Sequence, residues 1–249
     1  MPRLHRPASI VCAALMAMIP VAAQADVAGR YEMVGENIPI RMSMTVEADE
    51  TGNVRLQMGS QPGYYLVMDD DIYAVGGGMG RDVVARVADI SALADEKYAE
   101  FFAEVPVHGD DEMALDLVPM GDETVNGRTG TAYGMAVGEG GEAHHASMVI
   151  SRDPALAPLG RAMQTANGSM FRNAGTLGTM FSMLNADIAE TLAEGALLRM
   201  LTMELTDVSF DPIPPARFAL PSEPLSLDEL RAMTAPEPAP PTLPPVAAD

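Results

Sequence analysis

The sequence predicts an α+β fold in which one antiparallel sheet takes up most of the chain and helices lie against it. Apolar and polar residues alternate along many short segments, which is the pattern of half-buried strands. Turn residues separate these segments at short intervals, which favours hairpins over helical crossovers. Residues 89–105 and 154–194 have a helical period instead. We therefore expect a curved antiparallel sheet, an incomplete β-barrel, whose concave face is covered by these helices.

Residues 1–25 have the features of a secretory signal peptide. Arg3 and Arg6 give a basic start, residues 10–21 form an apolar run, and residues 23–25 have the small-x-small pattern of a cleavage site. The run is shorter than the about 20 residues that a membrane span requires. We expect cleavage after Ala25 and a periplasmic protein.

Composition excludes several classes of function. The one cysteine, Cys12, lies in the predicted signal peptide, so the rest of the chain offers no disulfide, thiolate nucleophile or cysteine metal site. The formal net charge is −20, which disfavours nucleic acid and anionic headgroups as partners. No apolar run of about 18 residues follows the signal peptide, so we expect no integral membrane span in the mature form.

Residues 27–88 predict an antiparallel meander. Residues 38–48 alternate between apolar and polar side chains, a turn follows at 50–53, and the alternation then resumes. Residues 64–68 and 72–75 are the next strands, joined by a turn at 69–71.

The predicted helix 89–105 is amphipathic, with Asp89 or Ser91 as its cap and Pro106 barring its extension. The strand pattern then returns, with a tight turn at Asn126-Gly127. Residues 129–137 and 143–151 form a further predicted hairpin.

The second helical stretch begins at Asp153-Pro154, with the aspartate as cap and the proline at the first helical position. Residues 196–210 read as one long strand. Residues 235–249 contain six prolines. We expect one domain over 26–221 and a largely disordered, Pro-rich tail over 222–249.

No motif predicts catalysis or a cofactor. The glycine run 76–80 lacks the lysine and hydroxyl of a phosphate loop, and no nucleophilic triad is visible. His144 and His145 are adjacent, so on a strand they point to opposite faces. We predict no enzyme, no cofactor and no metal site.

Methionine is abundant, with 20 in the chain. Thioethers are ligands for copper, and the pairs Met42/Met44 and Met200/Met203 are the candidates for that role. Methionine also fills irregular apolar space, so a packed core or an apolar groove is the favoured interpretation.

The order of signal peptide, long-stranded meander, helical insertion and further strands resembles that of the LolA-like periplasmic proteins and of small exported families with the same fold. The local similarities lie at residues 53–56, 64–73, 125–133, 153–154 and 215–221. The resemblance implies a half-barrel covered by helices and, with it, a hydrophobic groove; it assigns no functional residue.

We therefore expect a non-enzymatic periplasmic protein that binds or chaperones a lipid or another hydrophobic ligand in this groove. The alternative is an envelope structural or interaction protein with a filled core, which meets an envelope partner through its acidic surface or its tail. A hydrolase with a site hidden from sequence reasoning is a third hypothesis. The predicted groove residues are Ile40, Met42, Met44, Leu56, Met58, Tyr65, Phe101 and Met180.

Overall fold

The structure is a computed structural model of the 249-residue chain. It describes residues 26–35, 42–59, 62–78, 81–99, 115–137, 145–173, 175 and 195–234. The predicted signal peptide lies outside these residues.

The described residues contain eleven strands in one sheet. Their order in space is β6-β5-β4-β3-β2-β1-β11-β10-β9-β8-β7, all neighbours are antiparallel, and the sheet is not closed. This confirms the predicted antiparallel sheet. The strands are β1 (Val27–Met33), β2 (Ser43–Ala48), β3 (Val54–Met58), β4 (Tyr64–Met68), β5 (Asp71–Gly78), β6 (Arg81–Arg86), β7 (Leu115–Val125), β8 (Arg128–Val137), β9 (Ala146–Ser151), β10 (Ala196–Met200) and β11 (Met203–Ser209).

Within the described residues, three α-helices accompany the sheet: α1 (Val87–Lys97), α2 (Ala157–Asn173) and α3 (Leu227–Thr234). Short 3-10 helices span Pro154–Leu156 and Pro215–Phe218. The predicted continuations of the first two α-helices, to 105 and to 194, reach into segments outside the described residues.

The two predicted helix starts have different outcomes. Asp153 accepts a hydrogen bond from the backbone N–H of Ala155 at 2.9 Å, with Pro154 next to it, as predicted. The capping prediction for α1 is wrong, because this helix follows β6 directly and has Arg86, without a side-chain cap, at its N-cap. The last residue of a strand thus occupies the position expected for Asp89 or Ser91.

Two predicted turns are confirmed by their backbone angles. Asn126 and Gly127 have φ values of 47° and 79°, and Asp69 and Asp70 have values of 51° and 68°. Two successive positive φ values are typical of the two-residue turns that match the twist of a hairpin. Asparagine, aspartate and glycine tolerate this conformation better than other residues.

The prediction of one long strand over 196–210 is wrong. The chain turns at Leu201 and Thr202, and β10 and β11 form a hairpin in which Met200 pairs with Met203. Leu201 has a φ of 53°, a conformation that is uncommon for a residue of its kind. Since neither glycine nor asparagine marks this turn, the sequence does not reveal it.

Helix α2 contacts strand β10 and strands β1 to β5. Leu159 of this helix is fully buried, and a Cβ atom built on Gly29 of β1 would lie 2.7 Å from its Cδ1 atom. The absence of a side chain at Gly29 thus allows the helix to approach the sheet closely. We call this side of the sheet, which carries Gly29, Tyr31 and Val46, the helix face.

The chain's C-terminal segment covers part of the opposite face. Leu220 packs against the cluster of Tyr73, Val75 and Val84 on this face. The backbone N–H of Leu225 donates to the carbonyl oxygen of Val84 at 2.8 Å, which pairs the segment with the edge strand β6. Arg217 binds the carboxylate of Glu47 at 2.6 Å. Because strand residues alternate between faces, Glu47 lies opposite to the helix face.

Residues 222–234, which the sequence analysis assigned to the tail, have a defined structure. Ser226 and Glu229 form a reciprocal capping box at the start of α3: the N–H of Ser226 donates to the Glu229 carboxylate at 2.8 Å. Leu230 of this helix is buried. Structure therefore continues to residue 234, and residues 235–249 lie outside the described part of the chain.

The tip of the β7–β8 hairpin bends back over the sheet. Three strand spacings separate β8 from β11, about 14 Å in a flat sheet. Nevertheless, the Asn126 side-chain amide donates to the carbonyl oxygen of Leu205 in β11 at 3.1 Å and to the Glu204 carboxylate at 3.2 Å. Arg199 of β10 forms a two-point ion pair with Glu123 of β7.

Gly130 of β8 lies close to the backbone of the neighbouring strand β9. A Cβ atom at Gly130 would lie 2.6 Å from the carbonyl oxygen of Ile150, a backbone atom that cannot rotate away. We expect Gly130→Ala to lower the free energy of unfolding by about 1–3 kcal/mol, as measured by denaturant titration.

Gly76→Ala is the matched control. Gly76 is also in a strand, but nothing lies within 4 Å of its built Cβ atom. Here the substitution should be neutral or stabilising, because it restricts the unfolded chain. Equal destabilisation by both substitutions would contradict the close approach at Gly130.

Candidate functional site

The helix face is covered at one end of the strands and open at the other. The covered end is a row of register partners, each at most 2% exposed: Val27, Ala48, Val54, Val67 and Ile72. Towards the other end of β2 and β3 the same face becomes exposed, at Met58, four residues beyond Val54, and at Met42, six residues before Ala48. Met58 is 40% exposed and Met42 is 43% exposed.

Five of the eight predicted groove residues meet on this face. In the register of β2, β3 and β4, Met44 pairs with Met58, and Leu56 pairs with Tyr65. Met42 precedes β2, on the same face as Met44 by strand alternation. Met44, Leu56 and Tyr65 are half-buried and pack against the core.

Ile40, Phe101 and Met180, the other three, lie outside the described residues.

Sequence reasoning missed how the open end continues across the sheet. The N–H of Met33 in β1 donates to the carbonyl oxygen of Met42 at 2.9 Å. Met33 pairs with Met203 of β11, and Met203 pairs with Met200 of β10. The sequence alone does not identify Met33 as a residue of this surface, because only the pairing of β1 with β11 brings it beside Met203.

A cleft of about 300 Å³ opens at this end of the sheet. Its lining includes Met58 and Tyr65 from the predicted set. The full lining is Met58, Gly63, Tyr64, Tyr65, Ala74, Val75 and Gly76. This volume is at the lower limit of ordinary ligand sites, and apart from the tyrosine hydroxyls its side chains are apolar.

A larger cleft, of about 510 Å³, lies at the opposite, covered end of the strands. It is lined mainly by polar residues from two turns, among them Asn53, Asp69 and Asp70, and by Thr165 of α2. Arg172 approaches Asp70 at 3.5 Å. None of the predicted groove residues lines this cleft, and its polar walls do not suit an apolar ligand.

Tyr31 lies between the covered and open ends of the helix face. It is fully buried and pairs with Met44 on one side and Leu205 on the other. Its hydroxyl donates to the carbonyl oxygen of Leu197 at 3.0 Å. Burial raises the pKa of the Tyr31 hydroxyl far above its usual value, because the phenolate would have no water around it.

The charged residues of β1 and β11 lie on the other face. Glu32 and Glu204 alternate with Met33 and Met203 and pair with each other in the register. Arg30 forms an ion pair with Glu32 at 2.8 Å. The charged side chains of β1 and β11 are therefore separated from Met33 and Met203, which lie on the helix face.

Within the described ranges, no group of three or more His, Cys, Asp or Glu residues could hold a metal ion. His145 is exposed, and its predicted neighbour His144 is outside the described residues. No helix in the described ranges has the length and apolar character needed to cross a membrane.

No family model, no curated protein and no solved structure matches this chain.

The burial of Tyr31 gives a pH dependence that can be tested. A raised pKa means that the folded state favours the neutral phenol, so this contribution to stability is complete below pH of about 10 and is lost as the pH rises further. The free energy of unfolding should therefore fall above this pH. The fall should be smaller in Tyr31→Phe, which cannot ionise.

At neutral pH the same substitution should cost about 1 kcal/mol, because it removes one buried hydrogen bond. Tyr98→Phe is the control, since Tyr98 is 48% exposed. Identical alkaline profiles of the two variants in urea titrations would contradict the role of Tyr31.

Proposed function

We propose that this chain is a non-enzymatic binding protein that holds a lipid or another apolar ligand on the open end of its helix face. One observation carries the proposal. A single sheet face passes from complete burial under α2, as at Val54, to 40% exposure at Met58 within one five-residue strand. Apolar side chains that remain exposed next to a packed core are typical of interaction sites.

The residue types at the open end suit a ligand of variable shape. Met44 and Met58 are unbranched and flexible, so they can adapt to an acyl chain without a fixed geometry. Tyr65, which pairs with Leu56 on this face, adds a large apolar surface with a polar end. The cleft beside Met58 gives such a chain a place to enter.

In this proposal the sheet is a half-barrel of the LolA-like type, with α2 over its concave side. The folding-back of the β7–β8 hairpin, through Asn126 and Leu205, supports strong curvature at one edge. The contacts of α2 with β10 and with β1 to β5 support a helix that crosses the inner side. The ligand would occupy the part of that side that α2 leaves open.

The proposed location is the periplasm, after removal of residues 1–25. The basic start, apolar run and cleavage pattern of those residues support export. The formal charge of −20 favours a dispersed, soluble protein and disfavours binding to anionic headgroups. A ligand would therefore be recognised through its apolar part.

The second candidate is an envelope interaction protein with a filled core. The observation that favours it is the close packing under α2, where Leu159, Val46 and Leu205 are fully buried. Such a protein would take up no apolar molecule, so ligand uptake separates the two candidates.

A fluorescent fatty-acid probe tests the proposed function. The delipidated full chain should bind it in a saturable manner. Met58→Asp and Met42→Asp each place a charge on the open end, and should weaken binding at least about tenfold, a loss of about 1.4 kcal/mol. Fluorescence titration gives the dissociation constants.

Met233→Asp is the control, because Met233 is 61% exposed on α3, which packs against α1, and it does not line the cleft beside Met58. It should bind the probe like the unsubstituted chain. Failure of the chain to bind either the probe or a detergent would contradict the proposed function and favour an envelope interaction protein with a filled core.

A further inference from the structure

Four partly exposed methionines lie in one unbroken row across four neighbouring strands, and the buried Met148 of β9 follows Met200 in the register. The row consists of Met42 before β2, Met33 in β1, Met203 in β11 and Met200 in β10. Methionine makes up 20 of the 249 residues, so composition alone does not account for four in succession in space. We call these four residues the methionine row.

The register places their side chains on one face. Met33 is directly opposite Met203, and Met203 is directly opposite Met200. Directly opposite residues have Cβ atoms about 4.5–5.5 Å apart. The methionine side chain has three rotatable bonds, so sulfur atoms from three adjacent strands can converge on one point above the sheet.

The methionine row is accessible from solvent. Met42 is 43% exposed and Met200 is 41% exposed, whereas Met33 and Met203 are half-buried. Met203 packs against the core, which anchors the middle of the row. A small ion can therefore reach sulfur atoms that are held in place from below.

The chemistry of this row differs from that of an apolar groove. A thioether is a soft, neutral ligand and selects soft ions such as Cu(I) over Zn²⁺, Mg²⁺ or Ca²⁺. The formal net charge of −20 attracts cations to the protein in general. Leucine or valine would fill the same apolar space without offering a ligand.

We propose that Met33, Met203 and Met200, with Met42 at the end of the row, form a thioether site for Cu(I). Three sulfur atoms hold the ion, and no electron transfer is part of the binding step. The site shares Met42 with the proposed apolar groove, but its three central ligands are distinct from Met58, Leu56 and Tyr65.

Titration of the full chain with Cu(I), in competition with a Cu(I)-selective chelator, tests the site. The chain should carry Cys12→Ser, so that the thiol does not contribute. We expect one tightly bound Cu(I) per chain, and X-ray absorption should detect sulfur neighbours. Zn²⁺ should not compete.

The decisive variant combines Met33→Leu, Met203→Leu and Met200→Leu. Leucine conserves apolar volume, so the fold should persist, which thermal unfolding will check. Loss of a group that merely supports a metal ligand costs about 10–100-fold in affinity, so loss of three sulfur ligands should cost at least about 100-fold.

Two exposed methionines away from the row provide the matched control. Met120 and Met233 are 44% and 61% exposed, and the double leucine variant should bind Cu(I) like the parent. Acidity gives a second readout: thioethers do not titrate, so affinity should be constant from pH 7.5 to about 5, whereas a histidine site would weaken.

Three results would overturn the site: no Cu(I) binding by the parent chain, equal affinity of the parent and the triple variant, or a loss of affinity on acidification that matches histidine ligands. Probe uptake without Cu(I) binding would leave the apolar groove standing and remove the thioether site. Cu(I) binding without probe uptake would contradict the apolar groove and support the thioether site.

Discussion

The pairing of β1 with β11 is the constraint on which the rest of the structure depends. It joins the meander β1–β6 to the strands β7–β11 in one sheet, and it connects residues that lie about 170 positions apart, as Tyr31 and Leu205 do. Tyr31 strengthens the junction, because its buried hydroxyl reaches across β11 to the carbonyl oxygen of Leu197 in β10. A pairing this distant forms only when both parts of the chain are present, and loop closure makes it slow.

The same junction determines which part of the helix face is covered. Helix α2 follows β9, crosses β10 and β1, and ends near the β4–β5 turn, where Arg172 approaches Asp70. Its path therefore lies over Val27, Val54 and the rest of the covered row, at one end of the strands. The open end is a consequence of this oblique crossing, since one helix is too narrow to cover strands of five or more residues along their whole length.

The sequence carried enough information for the local structure and too little for the long-range arrangement. Alternation and turn residues identified the hairpins, because Asn126-Gly127 and Asp69-Asp70 have few alternatives to the conformations that they adopt. Leu201 gave no such signal, and the turn between β10 and β11 was missed. Met44, Leu56 and Met58 lie on two strands that follow each other in the sequence, so their pairing can be predicted from a short segment. Met33 joins the site only because β1 pairs with β11, which is far along the chain.

Composition changes along the strands in step with exposure, and this links the fold to both proposals. The covered end consists of small and β-branched residues such as Val27, Val54 and Ile72, which pack well on a pleated surface when something lies over them. The open end is rich in methionines, which lie beside Leu56 and Tyr65. A face that only had to be filled would need no such change, because valine and isoleucine suit strands throughout. Methionine at the open end provides an apolar surface without a fixed shape and a sulfur ligand at every step of the methionine row, so the two proposals follow from two properties of one side chain.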